Sequence, residues 1–242
     1  MELKELDFTG KTILEVGSGR GDTTRLLADM LAGVPDVRFI VTDLSDQHFP
    51  QLRSDMENAG VNAVFRATSA EHLAGIQDAS VDVVVCTYCL CAVNASPGSA
   101  MLALRRFWQV LRSKGWLFVE EEFPIQSAQG PAQQVWAEKW RLLKAASLLT
   151  GRAVYTEFDP AVLAELCQVA GFQEVNWQAR SSFLPGVETL DFFRQRLDAM
   201  IQQMPDETLK RGFSSLASGV LEAARQVGGM EIPYYSLTAR KA

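Results

Sequence analysis

Two periodicities alternate along the chain. Short runs rich in Val, Ile and Phe suit strands buried on both faces, and between them lie longer segments whose apolar residues return every three or four positions. TILEV (12–16), VRFIVT (37–42), NAVFR (62–66), VDVVVC (81–86), GWLFVE (115–120), FQEVNW (172–177) and MEIPYYSLTA (230–239) predict seven strands. Helices are predicted after the first strand at about 22–32, after the second at about 46–59 and after the fourth at about 97–112. Such alternation predicts an α/β domain with a mostly parallel sheet covered by helices on both faces.

Capping residues sharpen some of these limits. Ahead of the fourth-strand helix, Ser96 suits a cap and Pro97 a first turn, with Gly115 closing the segment after basic Arg112 and Lys114. Asp159, Pro160 and Gly171 punctuate DPAVLAELCQVAG in the same way. Two segments exceed what a minimal α/β unit needs, at about 123–157 and 186–227. The first places Trp136, Trp140 and Leu143 on one helical face. The second carries a stripe of Phe193, Leu197, Met200, Ile201 and Met204, breaks at Pro205, and continues with Leu209, Phe213, Leu216 and Val220. Stripes of this kind are more often core than ligand contacts.

At 242 residues, with 48% hydrophobic and 21% charged residues, the chain is expected to be one domain, 1–242, carrying these insertions. Its formal net charge of −6 comes without any clustered Lys or Arg. No nucleic acid is therefore expected as partner. The start MELKELDFTGK lacks an apolar core, and no later run approaches the roughly 18 residues of a membrane span, so no membrane span and a cytoplasmic location are expected. The four cysteines, Cys86, Cys89, Cys91 and Cys167, are expected to be reduced. The run CTYCLC reads as small buried hydrophobes, and no metal site is assigned.

Candidate chemistry begins at ILEVGSGRGDTTRLL (13–27), an apolar run, a glycine turn and a helix start. Glycines let a backbone approach a ligand closely, and a helix start presents free N–H groups. A dinucleotide fingerprint has glycines at relative positions one, three and six; Gly17, Gly19 and Gly21 occupy one, three and five, and the sixth position is the anionic Asp22. No Walker lysine-serine pair is present either. Both facts disfavour NAD and ATP. Glu15, two residues before the first glycine, can accept a hydrogen bond from a cationic amine, and Asp43 at the end of the second strand can take the hydroxyls of a ribose. An amino acid at one end and a ribose at the other describe S-adenosylmethionine.

EVGSGRG, Asp43 in VTDLS, Ser69-Ala70-Glu71 in TSAEHL, VDVVVCTYCLCAV and VLRSKGWLFVEEE, taken in order, resemble the motif series of class I S-adenosylmethionine-dependent methyltransferases. The resemblance covers about 1–122 and resumes in LAELCQVAGFQEVNW. It implies a Rossmann-like, doubly wound, seven-stranded and mostly parallel sheet with the last strand antiparallel, and helical insertions after the fifth and sixth strands. It also implies S-adenosyl-L-methionine as cofactor and S-adenosyl-L-homocysteine as product. The cofactor residues would be Glu15, Gly17, Ser18, Gly19, Gly21, Asp43, Leu44, Ser69, Ala70 and Thr87. Relatives often carry Asp where this chain has Ser69, which weakens a side-chain bond to adenine and leaves Ala70 backbone contacts in place.

Methyl transfer from a sulfonium is an in-line displacement, so positioning supplies much of the catalysis, and a base is needed only when the acceptor must lose a proton early. The resemblance puts Tyr88 nearest the methyl group. Glu121 matches a glutamate that related small-molecule enzymes place after the fifth strand, so Tyr88 and Glu121 are the catalytic candidates. His48 and His72 fall in cofactor-side segments. Cys86-Thr87-Tyr88-Cys89 stands where enzymes acting on amides or base nitrogens have Asn-Pro-Pro-Tyr. The stretch is similar to that of a thiol methyltransferase family and, less closely, of ubiquinone and menaquinone methyltransferases, which implies a small, apolar or aromatic acceptor. Few residues precede the first strand, so the two insertions, with Trp136, Trp140 and Phe193, are expected to form the lid. A protein or nucleic-acid methyltransferase and a non-catalytic S-adenosylmethionine-binding protein are the alternatives, and a homodimer is compatible with the sequence.

Overall fold

The structure, a computed structural model, describes residues 2–242. Its seven strands, in chain order, are β1 (Thr12–Val16), β2 (Arg38–Asp43), β3 (Ala63–Ala67), β4 (Val81–Thr87), β5 (Leu111–Glu122), β6 (Phe172–Pro185) and β7 (Gly229–Lys241). They form one sheet in the order β3-β2-β1-β4-β5-β7-β6. β1 pairs in parallel with β2 and β4, β2 with β3, and β4 with β5. β7 runs the other way. Phe123 N–H donates to Pro233 O while the Lys241 ammonium reaches Leu111 O, so rising numbers on β5 meet falling numbers on β7.

The helices are α1 (Asp22–Leu31), α2 (Phe49–Asn58), α3 (Leu90–Val93), α4 (Ser99–Val110), α5 (Gly130–Leu149), α6 (Pro160–Ala170), α7 (Asp191–Ile201) and α8 (Glu207–Val227). Contacts divide the chain into two compact units. The first comprises residues up to Glu121, Pro160–Gln178 and Ser236–Ala242; the second comprises Glu122–Asp159 and Ala179–Tyr235.

In the first unit, alternation along the central strands serves both faces of the sheet. Ile13, Phe39, Val41, Val83 and Val85 pack with Leu27, Ala28 and Leu31 of α1 and Leu52 and Met56 of α2. Leu14, Val16 and Val84, one step out of phase, are just as buried and point to the opposite face. Crossovers of this kind need both faces covered, and the continuous burial of TILEV is the consequence.

Two limits differ from those the sequence predicts. α4 begins at Ser99 behind Gly98, which is left-handed at φ 83°, so Ser96 and Pro97 lie in a turn ahead of the helix instead of capping it. Gly115 does not stop α4, which ends at Val110; it lies within β5, where a bulge shifts the register between Val81–Leu111 and Val83–Trp116. A Cβ on Gly115 would stand 2.9 Å from Arg112 O and 3.0 Å from Asp82 O. The glycine admits close backbone approach at the bulge. Arg112 is drawn there by an ion pair with Asp82 at 2.5 Å.

The second unit has its own apolar core, built from α5, α7 and α8. Phe193, Leu197, Met200, Ile201 and Met204 are buried in it as their spacing predicts. On α8 the buried stripe is Phe213, Ala217, Val220 and Ala224, whereas Leu209 and Leu216 are exposed. Small Ala217 and Ala224 take positions that a count of large apolar residues assigns to leucine.

Candidate cofactor site

The ends of β1, β2 and β4 lie side by side, because Val16 pairs with Thr42 and with Cys86. The loop leaving β1 turns immediately. Gly17, Gly19 and Gly21 have φ of 80°, 52° and 92°, all in the left-handed region that glycine enters without steric cost. Gly17 N–H and Ser18 N–H both donate to Thr42 O, at 2.9 and 3.0 Å, which fastens the start of the loop to β2. Gly21 then stands at the head of α1.

Glu15 is the charged group at the base of this loop. It is 1% exposed, and neither carboxylate oxygen has a hydrogen-bond partner. The Thr24 hydroxyl, from the first turn of α1, is likewise buried and unpaired. Burial pushes the Glu15 carboxyl up to about 7; the Thr24 dipole opposes this in part, and the Asp43 charge adds to it. An orphaned buried carboxylate beside a left-handed glycine loop is a receptor for a cation that can donate hydrogen bonds.

Asp43 ends β2 and is engaged by backbone. Gly19 N–H donates to its Oδ2 at 2.8 Å and Ser45 N–H to its Oδ1 at 2.9 Å. Each oxygen keeps a further lone pair, which is what a pair of vicinal hydroxyls requires. Leu44, next in the chain, is 78% exposed. After β3, Ala70 is buried, while the Ser69 hydroxyl is shared with His72 Nδ1 at 2.8 Å. At the end of β4 the hydroxyls of Thr87 and Thr23 are 2.7 Å apart, joining this strand to the start of α1.

The two catalytic candidates are placed very differently. Tyr88 is 47% exposed, with φ of 52°, and its N–H donates to Glu120 O at 2.7 Å. A tyrosine in the left-handed region is strained, and the strand pairing across Glu120 holds it there. Glu121 is turned into the protein. It is 0% exposed, and its Oε1 accepts the Leu90 N–H at 2.6 Å. Burial raises its pKa to about 7, opposed by the Cys91 thiol and by the N–H groups of Leu90, Cys91 and Cys89. It anchors the Tyr88–Cys91 turn from beneath.

Three residues of this region escape a reading of the sequence. Thr23 and Thr24 carry no motif of their own, yet one ties α1 to β4 and the other faces Glu15. Cys89 packs its sulfur into the space that a Cβ on Gly17 would need. The only signal for these was their position directly after a glycine loop or a strand end. A hollow of about 350 Å³ lies elsewhere in the first unit, lined by Arg38, Ile40, Val64, Arg66, Gly75 and Ile76, and none of the glycine-loop residues borders it. Among the described residues no helix is long and apolar enough to cross a membrane.

In the second unit, Glu122 Oε2 accepts the indole N–H of Trp136 at 2.7 Å and of Trp140 at 2.5 Å. Lys139 is buried with its ammonium 4.6 Å from the centre of the Trp140 ring. Trp136 and Phe193, two of the aromatics named with the expected lid, are core residues of this unit, and Trp140 is partly buried against the same core.

Comparison with known proteins agrees with this geometry. Residues 13–115 match the family model described as a methyltransferase domain. No curated protein matches the sequence. A cyclopropane-fatty-acyl-phospholipid synthase-like protein from Lactobacillus casei is similar in structure, with TM-score 0.71 and 16% identity over 97% of this chain and 85% of that one. An S-adenosylmethionine-dependent methyltransferase from Methanosarcina mazei superimposes with TM-score 0.60 and 16% identity, over 98% and 94% of the two chains. Phosphoethanolamine N-methyltransferase 2 from Haemonchus contortus, in complex with phosphomonomethylethanolamine and S-adenosylhomocysteine, gives TM-score 0.59 and 14% identity over 98% of this chain and 50% of that one. At these identities the likeness is one of fold. The family match takes in nearly all of β1, the glycine loop, Asp43 and all of β2 to β4, so this stretch of the chain is similar to a methyltransferase domain.

Proposed function

We propose that this methyltransferase carries a methyl group from S-adenosylmethionine to a small, apolar or aromatic acceptor. The observation that supports the cofactor assignment most directly is Glu15, buried with both oxygens unpaired at the foot of the glycine loop. It would accept the ammonium of the methionine part. Gly17, Ser18, Gly19 and Gly21 would present backbone to that part, Asp43 and Leu44 would hold the ribose, and Ser69 and Ala70 would border the adenine, with Thr87 beside the sulfonium. When bound, the cofactor supplies an electrophilic methyl group on a positively charged sulfur.

The chain's own residues supply positioning. Tyr88, held in a strained conformation at the end of β4, would orient the acceptor with its exposed ring. Glu121 would act through that turn by anchoring Leu90, since its carboxylate is sealed inside. With Glu121 sealed and His72 Nδ1 shared with Ser69, the arrangement favours an acceptor atom that is nucleophilic without early loss of a proton to the protein. The net charge of −6 argues for a small acceptor over a nucleic acid. We further propose that the second unit is the lid. Its support is chain connectivity: α5 follows the C-terminal end of β5, and α7 and α8 follow that of β6, the end of such sheets where ligands bind.

Calorimetry with S-adenosylmethionine, followed by detection of S-adenosylhomocysteine across a panel of thiols, phenols, amines and quinols, tests this reading. Turnover with one small acceptor class and none with nucleic acid or protein is expected. Absence of cofactor binding at millimolar concentration overturns it, and binding without turnover of any acceptor leaves a cofactor-binding protein.

A further inference from the structure

The run Cys86-Thr87-Tyr88-Cys89 sits directly against the glycine loop. Cys86 is the sheet partner of Val16, and Gly17 follows Val16 in the chain. The Cys89 sulfur lies on Gly17 and fills the volume a Cβ there would take. Neighbouring strands are only about 5 Å apart. Both cysteines therefore converge on the end of β1, and the left-handed turn at Tyr88, φ 52°, brings the chain back on itself between them. Glu121 fixes the far side of the turn by accepting the Leu90 N–H.

The two thiols differ in exposure. Cys86 is 0% exposed, and Cys89 is partly exposed. The Cys86 thiol is held well above its ordinary pKa, first by the Cys89 thiol beside it and then by burial, with the charges of Cys89, Glu121 and Cys91 adding to both. Sheet pairing of Cys86 with Val16 and contact of the Cys89 sulfur with Gly17 bring the two cysteines to consecutive residues at the end of β1. A dithiol with one accessible and one resolving sulfur is the arrangement that peroxides convert to a disulfide.

We propose that Cys86 and Cys89 are a redox modification site, and that their oxidation to a disulfide weakens the grip of the glycine loop on the cofactor. The oxidant is hydrogen peroxide. The Cys89 sulfur attacks it, so that an S–O bond forms, the O–O bond breaks and hydroxide leaves as water with the proton given up by the Cys89 thiol. The Cys86 sulfur then attacks the Cys89 sulfenic acid; the S–S bond forms, the S–O bond breaks, and the departing hydroxide leaves as water with the Cys86 proton. Two electrons pass from the two sulfurs to the peroxide. In the reduced protein Cys89 braces Gly17, and the disulfide draws that sulfur towards Cys86 and away from the loop. Thr87 and Tyr88, enclosed in the new ring, move with it.

The loss of affinity rests on the cofactor assignment above, whereas the pairing does not. The full chain is treated with hydrogen peroxide, quenched with an alkylating agent and analysed by intact mass and fragment sequencing, and its affinity for S-adenosylhomocysteine is measured by calorimetry before and after. The expected result is one disulfide between Cys86 and Cys89, absent in Cys86→Ser and in Cys89→Ser and retained in Cys91→Ser and Cys167→Ser. Affinity is expected to fall at least tenfold and to return with dithiothreitol. Oxidation that yields no disulfide, a bond that requires Cys91, or a Cys86–Cys89 bond that leaves affinity unchanged overturns the proposal. A disulfide that forms in protein unable to bind S-adenosylhomocysteine even when reduced upholds the pairing and overturns the cofactor assignment.

Discussion

Gly19 N–H donates to Asp43 Oδ2 at 2.8 Å, which links the middle of the glycine loop to the end of β2. One carboxylate thus shapes the loop and, in the proposed complex, meets the ribose. Hydrogen bonds to a charged group contribute about 1.5–3 kcal/mol each, so losing this link together with a ribose contact weakens binding severely. Asp43→Ala is expected to reduce affinity for S-adenosylmethionine by more than a hundredfold in calorimetry. Asp43→Asn keeps one acceptor oxygen and is expected to lose about tenfold. Equal affinity in wild type and Asp43→Ala would remove Asp43 from the site.

Glu15 makes stability depend on pH in an unusual direction. Its carboxyl rises from 4.5 to about 7 on folding because the charged form is buried. Between those values the folded state holds a proton that the unfolded state has released, so stability falls as pH rises from 4.5 to about 7 and is level above that. The displacement corresponds to about 3 kcal/mol. Glu121 titrates over the same window, from 4.5 to about 7, and adds to the slope. Thermal unfolding of the cofactor-free protein from pH 5 to pH 8 is expected to show Tm decreasing, with a shallower decrease in Glu15→Gln. That variant is more stable than wild type at pH 8 and binds the cofactor less well. Affinity for S-adenosylmethionine in the wild type rises with pH up to about 7, because the ammonium selects ionised Glu15. A Glu15→Gln profile identical to that of the wild type would show that the carboxyl does not titrate.

Some of this was legible in the sequence and some was not, for identifiable reasons. The central strands were plain because burial on both faces takes in every residue of TILEV, three of them large and apolar, and makes nearly every residue of VDVVVC apolar. Glycine spacing and Asp43 were visible because they answer to local backbone demands that only a few residue types meet. Glu15 could be singled out by position, but the burial that leaves both its oxygens without a hydrogen bond is tertiary. Glu121 looked like a strand-end carboxylate facing an acceptor, since strand alternation does not tell that the turn after β4 folds over it and supplies the Leu90 N–H. On α8 the large residues Leu209 and Leu216 misled, because two alanines suffice where helices pack closely.

Gly17 is constrained twice. Its φ of 80° strains any L-residue, and the Cys89 side chain occupies the place of a Cβ. The conformational part alone costs about 1–2 kcal/mol. Gly17→Ala is expected to lower Tm by several degrees and to abolish cofactor binding. Cys89→Gly introduced into that variant removes the collision and leaves the strain, so part of the Tm is recovered. If Cys89→Gly gives no recovery, the sulfur is not what confines Gly17.

The cluster around Glu122 predicts a non-additive pair in the second unit. Glu122 accepts two indole N–H groups, and it is the charge that opposes the fall in the pKa of buried Lys139. Removing the carboxylate leaves both indoles unpaired and takes away the charge that favours the buried ammonium, and each buried donor left without a partner costs about 1–3 kcal/mol. Glu122→Leu is therefore expected to lower Tm sharply and to expose α5 to limited proteolysis. Lys139→Met alone is expected to be mild, since burial already disfavours the charged amine. Combined with Glu122→Leu, it removes the uncompensated cation, so the double variant should be more stable than Glu122→Leu alone by about 1–3 kcal/mol in denaturant unfolding. Strict additivity would show that Lys139 and Glu122 do not sense each other, and the indole contacts alone would then account for the loss.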